Sequence, residues 1–315
     1  MLTSVETLRE RAAIAMDRLA SCTLCPRECG VDRLAGGRGY CGSKGRWGRG
    51  KPEPTGVYVS SAGPHFGEED CLVGRGGSGT VFFSGCNLSC MFCQNGDISQ
   101  AGAGSWVTVE HLSAMFLSLQ RRGCHNLNIV TPTHFVAHLL QALVVAVEHG
   151  FDLPVVYNCG GYESVETLKL LDGIVDIYMP DFKYGDATVS GELSDVPDYP
   201  DRAKAALREM HRQVGDLRID GPAGTATRGL LIRHLVLPSN LAGTDQVMYF
   251  LANELSTETY VNIMDQYRPC LRAHRHPVLS RGITAEEYQS AIETATRYGL
   301  HRGFPRERRS RLIAW

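Results

Sequence analysis

The stretch TVFFSGCNLSCMFCQN, residues 80–95, joins two patterns that decide how the chain is read. Its opening, TVFFS, is β-branched and aromatic and suits a buried strand. Directly after it stand Cys86, Cys90 and Cys93, at C-x3-C-x2-C spacing. Three thiolates this close in sequence can wrap one corner of an iron–sulfur cube, and soft thiolates suit iron–sulfur clusters and zinc. A zinc site wants a closed tetrahedron of four ligands. A [4Fe–4S] cluster normally takes four thiolates, so a local set of three leaves one iron open to a non-protein ligand. The alternative is three unliganded thiols.

Working outward, the chain has 315 residues, with 32 Lys+Arg against 34 Asp+Glu and a net charge of −2. It is 43% hydrophobic and 21% charged. These values exclude a disordered chain, a collagen-like chain and a basic nucleic-acid packaging protein. The N-terminus carries Glu6, Arg9, Glu10 and Arg11 and lacks an apolar h-region, so no secretory signal is expected. The longest apolar stretch, 135–147, is shorter than a membrane span and is interrupted by His138 and Gln141. The expectation is a cytoplasmic protein with no membrane partner. Eleven cysteines in such a chain point to metal or catalytic use rather than disulfides.

Beyond the cysteine loop, strand-like and helix-like segments alternate. Strands are expected at 80–84, 127–131, 153–158, 174–183, 230–238 and 259–264, and helices at 108–123, up to about 149, 161–173, 200–214 and 244–255. Residues 186–201 hold five acids with Gly and Pro and read as a solvated loop; HFGEED (65–70) reads as a turn. Six near-continuous apolar strands with crossover helices imply a parallel sheet buried on both faces. The fold class is therefore α/β, an open or partial (β/α)6 barrel, with active residues expected at the C-terminal strand ends. The expected division is an N-terminal cysteine-rich extension (1–75), the barrel (76–270), and a C-terminal helix with a basic tail (271–315).

Polar residues gather at those strand ends: VTPTH (130–134), NCGGYE (158–163), MPDFKY (179–184), and Arg233 with His234 inside LLIRHLVLP. Asp181 and Lys183, two apart, face the same side of a strand. A buried acid and base are costly unless they pair or meet a ligand. Ion pairing within the protein is the simpler reading for Asp181, Lys183 and Arg233; ligand contact is the other.

At the CxxxCxxC loop the chain resembles the radical SAM superfamily. The resemblance implies a [4Fe–4S] cluster on Cys86, Cys90 and Cys93 whose open iron chelates the amino and carboxylate groups of S-adenosylmethionine. One electron then cleaves the sulfonium, releasing methionine and a 5′-deoxyadenosyl radical that abstracts hydrogen. Phe92, just before the third Cys, would pack on the adenine. More closely, the chain is similar to homologues of pyruvate formate-lyase activating enzyme, the PflX-like sub-group. That sub-group shares CxLCPRxCGVDR, HFGEE, GSGTxFFSGCNLxCxFCQN, NIVTPTH, YNCGGYE, DIYMPDFKY, IRHLVLP and YVNIMDQYRP, spread from residue 22 to 269. The resemblance implies that Asp181 and Lys183 contact the ribose or methionine end, that Arg233 contacts the carboxylate or sulfonium side, and that Asn158 contacts the ribose. Thr131–Thr133 stands where a GGE stretch usually holds the methionyl amine. Gln266 stands near where the activating enzymes carry a His, and no ferredoxin-like cysteine insert follows Cys93. A glycyl-radical enzyme, another protein or peptide, and RNA are all open as substrates. A reductant such as flavodoxin or ferredoxin is implied as a partner.

A second group, Cys22, Cys25, Cys29 and Cys41, has spacing C-x2-C-x3-C-x11-C. Four thiolates so spaced could close a tetrahedral zinc site or hold a second Fe–S cluster, and a closed structural metal site is favoured. Arg38, Lys44, Arg46, Arg49 and Lys51, with Tyr40 and Trp47, lie nearby without an acid; a solvated loop is favoured over one contacting phosphate or RNA. Cys159 and Cys270 lie just past strands, where one could donate hydrogen or protect the site, or simply pack. His134 and His138, four apart on a helix, read as core or rim positions rather than a metal pair. The end, FPRERRSRLIAW, reads as a solvated tail. A non-enzymatic iron–sulfur carrier or zinc-binding interaction protein is the remaining alternative.

Overall fold

The computed structural model describes residues 3–43, 56–221 and 224–305. Of the basic loop and the C-terminal tail, residues 44–55 and 306–315 lie outside the described residues. Among the described residues, eight strands form one sheet: β1 Gly56–His65, β2 Ser78–Phe83, β3 Ser105–Thr108, β4 Leu127–Val130, β5 Val155–Cys159, β6 Ile177–Pro180, β7 Gly229–Leu235 and β8 Tyr260–Met264. Their order across the sheet is β3-β1-β2-β4-β5-β6-β7-β8. The six expected strands are β2 and β4 to β8, and each pairs in parallel with its neighbour. β5 and β6 are buried along their whole length, as strands covered on both faces must be.

Alternation along the strands separates two environments. Val155, Tyr157, Tyr178, Leu230 and Ile232 join the main core. Val156, Ile177, Met179 and Leu231 face the other way and pack with Cys71 and Leu72. Continuing that second face toward the strand ends by steps of two gives Asn158, Asp181 and Arg233. The same face is thus apolar at its base and polar at its C-terminal rim.

Two strands lie outside the sequence expectation. β1 pairs antiparallel with β2, Val59 opposite Phe83, and with β3, Tyr58 opposite Trp106. β1 carries Ser, Ala, Gly and Pro in its second half, which hides its periodicity. Segment 186–201 is a correction: it is not a solvated loop. Ala187–Ser194 is a helix, capped where Asp186 accepts from Val189 N–H at 2.9 Å, and it ends at Asp195 in the left-handed region (φ 61°). Its acids face out while Leu193, Val196 and Tyr199 are fully buried. The helix after β5 is shorter than expected, Val165–Lys169, and Thr244–Phe250 continues into a π-helical turn, Leu251–Leu255.

The N-terminal helix Val5–Asp17 buries Leu8, Ala12 and Ala15, spaced i, i+4, i+7, and packs on Val136–Glu148. No helix among the described residues is long and apolar enough to cross a membrane.

Candidate functional site

A cavity of about 390 Å³ opens at the C-terminal ends of the parallel strands. The loop after β2 contributes Cys86, Cys90, Phe92 and Cys93; Val130 and Thr131 come from β4, Asn158 and Cys159 from β5. Asp181 and Lys183 follow β6, Arg233 lies on β7, and Met264 and Gln266 follow from β8. Of the eight residues expected around the cofactor, seven line this one cavity. Thr133 does not: it sits in a 3-10 turn, fully buried, and its hydroxyl donates to Glu163 at 2.6 Å.

The cysteine loop is pinned from several sides. Ser89 N–H and Met91 N–H donate to the carbonyls of Ser194 and Leu193 at 3.2 and 2.8 Å. The helix missed in the sequence is therefore the shelf on which the loop rests. Arg272 N–H and Ala273 N–H donate to Met91 O, Gln100 donates to Cys90 O, and Asn87 donates to Tyr162 O. Burial pushes the Cys86 and Cys90 thiols well up; neighbouring thiols add to this, and the Lys183 ammonium opposes it. Three converging thiols in a low-dielectric wall ionise readily only against a bound cationic group.

Asp181 and Lys183 pair at 2.5 Å and keep about a fifth to a quarter of their side chains exposed to the cavity. Burial alone would lower the Lys183 ammonium; Asp181, then Cys90 and Tyr199, outweigh it and hold it well above the usual range. Tyr199 fixes the backbone here. Its hydroxyl accepts from Lys183 N–H at 2.9 Å and donates toward the carbonyls of Gly160 and Asp181. Gly161 is required beside it: at φ +78° a Cβ would lie 2.2 Å from Asp181 O and 2.9 Å from Tyr199 Oη.

Arg233 is held by residues read from the sequence as a turn. Glu69 accepts bidentately from its Nε and Nη2, both at 2.8 Å, and Glu68 accepts from Nη2. Asn262 donates to Glu69 at 2.8 Å, and His65 lies 3.1 Å from Glu68. Burial works against the Glu69 carboxylate, but Arg233 and then Asn262 outweigh it and hold it below the ordinary range. The motif HFGEE carries its acids to this wall because β1 pairs beside β2, a relation that spacing along the chain does not reveal.

Behind Cys159 lies a further carboxylate absent from the sequence expectation. Glu163 is buried, accepts from Thr133 and from the Tyr157 hydroxyl at 3.0 Å, and is pushed up to about 7 by burial. Thr131 sits in the left-handed region at φ 57°, unusual for a β-branched residue and costing on the order of 1–3 kcal/mol. Phe92 packs edge-on against Tyr184 and Tyr267, with centroids 6.3 and 5.9 Å away. Gln266 is exposed at the rim, and its carbonyl accepts from Gln94. His134 and His138 are core residues; His134 is hydrogen-bonded to Ser84 O and held at about 3 by burial. Cys159 is buried in the cavity wall, whereas Cys270 is half-buried and not among the lining residues.

A family model for the radical SAM superfamily matches residues 80–221, from β2 through the helix Tyr199–Val214. An uncharacterized protein of Methanocaldococcus jannaschii is 33% identical over 299 residues, spanning 92% of this chain and 78% of that one. The chain belongs to the radical SAM superfamily. Members are enzymes that use a [4Fe–4S] cluster and S-adenosylmethionine, which sets aside a purely structural metal protein. The crystal structure of a radical SAM methyltransferase from Sphaerobacter thermophilus aligns with TM-score 0.49 and 16% identity, over 70% of this chain and 64% of that one.

In this radical SAM chain the N-terminal cysteines lie against the β2 loop. Cys86 N–H donates to Cys41 O at 3.3 Å, and Arg27 Nε donates to Asn87 O at 3.0 Å. Cys22 and Cys25 are buried, Cys41 is half-buried and Cys29 exposed. Among the described residues no three His, Cys, Asp or Glu side chains are set to grip a single metal ion.

Proposed function

We propose that Cys86, Cys90 and Cys93 hold the [4Fe–4S] cluster and that S-adenosylmethionine lies across the strand ends in the same cavity. The supporting observation is the convergence of three thiols and seven separately expected residues on one cavity. The cluster supplies an electron that cleaves S-adenosylmethionine to methionine and a 5′-deoxyadenosyl radical. Everything else falls to the protein. Glu68, Glu69 and Asp181 against Arg233 and Lys183 give the walls an excess of one negative charge, which favours a cationic sulfonium. Phe92 offers an aromatic edge for the adenine. Asn158 and the Asp181–Lys183 pair present polar groups to ribose and the methionine end. Arg233, engaged through Nε and Nη2, presents Nη1.

The six parallel strands correspond in this reading to a partial (β/α)6 barrel, and the shared motifs support a likeness to the PflX-like sub-group. The substrate class is a protein, with hydrogen abstracted from a backbone or side-chain carbon. The electron comes from flavodoxin or ferredoxin, and the reaction takes place in the cytoplasm. Reconstituted, reduced protein should release 5′-deoxyadenosine and show a cluster EPR signal that changes on adding S-adenosylmethionine. Equal trace nucleoside from wild type and from the Cys86→Ala/Cys90→Ala/Cys93→Ala variant would overturn the reading.

A further inference from the structure

The N-terminal cysteines form a second built site, separate from the cavity. After the helix Val5–Asp17 the chain folds back on itself: Cys22 N–H donates to Val31 O and Gly30 N–H to Cys22 O, at 3.0 and 3.1 Å. Between these bonds a turn closes from Cys25 O to Glu28 N–H at 3.0 Å, with Glu28 and Gly30 both at positive φ. This knuckle carries Cys25 and Cys29 on a hairpin whose base is Cys22. Cys41 then arrives from the other side. Gly39 marks the return: a Cβ there would stand 2.9 Å from Cys29 Sγ and 3.8 Å from Cys41 Sγ. Only glycine lets the backbone pass between those two sulfurs.

Arg33 supplies a cation, with Nη1 4.0 Å from Cys22 Sγ, and anchors the loop by donating to His134 O at 2.5 Å. Such a guanidinium stabilises a thiolate set bearing more negative charge than its metal offsets.

The kind of metal follows from spacing. A single zinc with bonds of about 2.3 Å requires sulfurs about 3.8 Å apart. A cube gives each thiolate its own iron and so holds the sulfurs wider. No three of these side chains are set for a single ion, and the same is true of Cys86, Cys90 and Cys93, in a superfamily that holds a four-iron cluster. The quartet supplies the fourth thiolate that the trio lacks. We infer that Cys22, Cys25, Cys29 and Cys41 bind a second, fully protein-ligated [4Fe–4S] cluster, seated against the radical SAM loop. This departs from the closed structural metal that spacing alone favours. The two ligand sets meet at the hydrogen bond from Cys86 N–H to Cys41 O.

Iron, zinc and acid-labile sulfide should be counted after anaerobic reconstitution of the full chain with zinc present. The expected result is about 8 Fe and 8 sulfide per wild-type chain, and about 4 of each in both the Cys86→Ala/Cys90→Ala/Cys93→Ala variant and the Cys22→Ser/Cys25→Ser/Cys29→Ser/Cys41→Ser variant. The cluster remaining in the alanine variant should give a reduced EPR signal that S-adenosylmethionine leaves unmoved. If the serine variant fails to fold, the wild-type and alanine-variant counts decide alone. About 4 Fe in wild type and none in the alanine variant, with or without one zinc, overturns the second cluster while leaving the proposed function intact. About 4 Fe in wild type, retained undiminished in the alanine variant, does the reverse.

Discussion

Two ion pairs stand side by side at the cavity rim, where Asp181 bridges Arg233 on the neighbouring strand, and they are built for different tasks. Arg233, 17% exposed, is bound bidentately by Glu69 and again by Glu68, whose carboxylates are buried at 6% and 7% exposure. Asp181 and Lys183 meet through single atoms and remain 24% and 20% exposed. A pair whose carboxylates are enclosed cannot rearrange without leaving a charge unpaired in low dielectric, whereas a pair with both partners open to the cavity can exchange one of them for a ligand. The Arg233 wall therefore holds the shape of the cavity, and the Asp181–Lys183 wall is the side that responds to what binds. Glu163 makes the contrast sharper: an equally buried carboxylate with hydroxyl partners and no cation, and so the one whose proton affinity is raised.

The largest effect is expected on the closed wall. Glu69→Ala removes both bidentate bonds and the Asn262 contact while leaving Arg233 buried. It should lower unfolding free energy by about 3 kcal/mol, the lower end of the cost of breaking a buried pair, because Glu68 remains. Denaturant titration checks this; a loss below about 1 kcal/mol would mean that the two walls do not differ as described.

Glu163 should appear in the pH dependence of stability. It is held at about 7 in the fold against 4.5 as an ordinary carboxyl, so the folded state binds more protons between those values. Stability from this group is full below about pH 4.5 and is lost as pH rises through about 7, by about 3 kcal/mol in all. Glu163→Gln should remove that fall from the pH profile of unfolding free energy. A profile identical to wild type would show that the carboxyl is ionised in the fold.

On the open wall, Asp181→Asn should cost only about 1 kcal/mol of stability, as expected for a partly solvated pair. The same change should weaken S-adenosylmethionine binding about tenfold or more, read by equilibrium titration, because a cationic ligand loses its facing carboxylate. If Glu69→Ala weakened binding by as much at equal foldedness, the division of labour between the walls would fail.

Much of this site was legible because strands alternate. Asn158, Asp181 and Arg233 continue by twos from the buried Val156, Met179 and Leu231, so one apolar face turning polar at its end marks the cavity rim. Thr133 escaped that rule because it lies past the strand, where a 3-10 turn rather than alternation sets its direction. Glu68 and Glu69 escaped because they reach Arg233 across 164 or more residues, through β1, a strand whose serines and glycine carry little pattern. The helix Ala187–Ser194 was hidden by the acids that flank it: composition argued for solvent, while its buried side chains, Ser190, Leu193 and Ser194, lie among polar neighbours.

The smallest effect concerns the backbone of the rim. Thr131 holds φ 57° between β4 and the turn at Thr133, its N–H donating to Asn158 O at 2.8 Å. That bond ties the rim of β4 to the residue expected at the ribose, so the strained conformation is fixed by its neighbours rather than by its own side chain. Asparagine tolerates this region better than a β-branched residue. Thr131→Asn should therefore raise stability by about 0.5–1 kcal/mol, a small fraction of the strain cost because the polar amide must still be accommodated. A fall in stability would show that the Thr131 side chain contributes more to packing than its backbone costs.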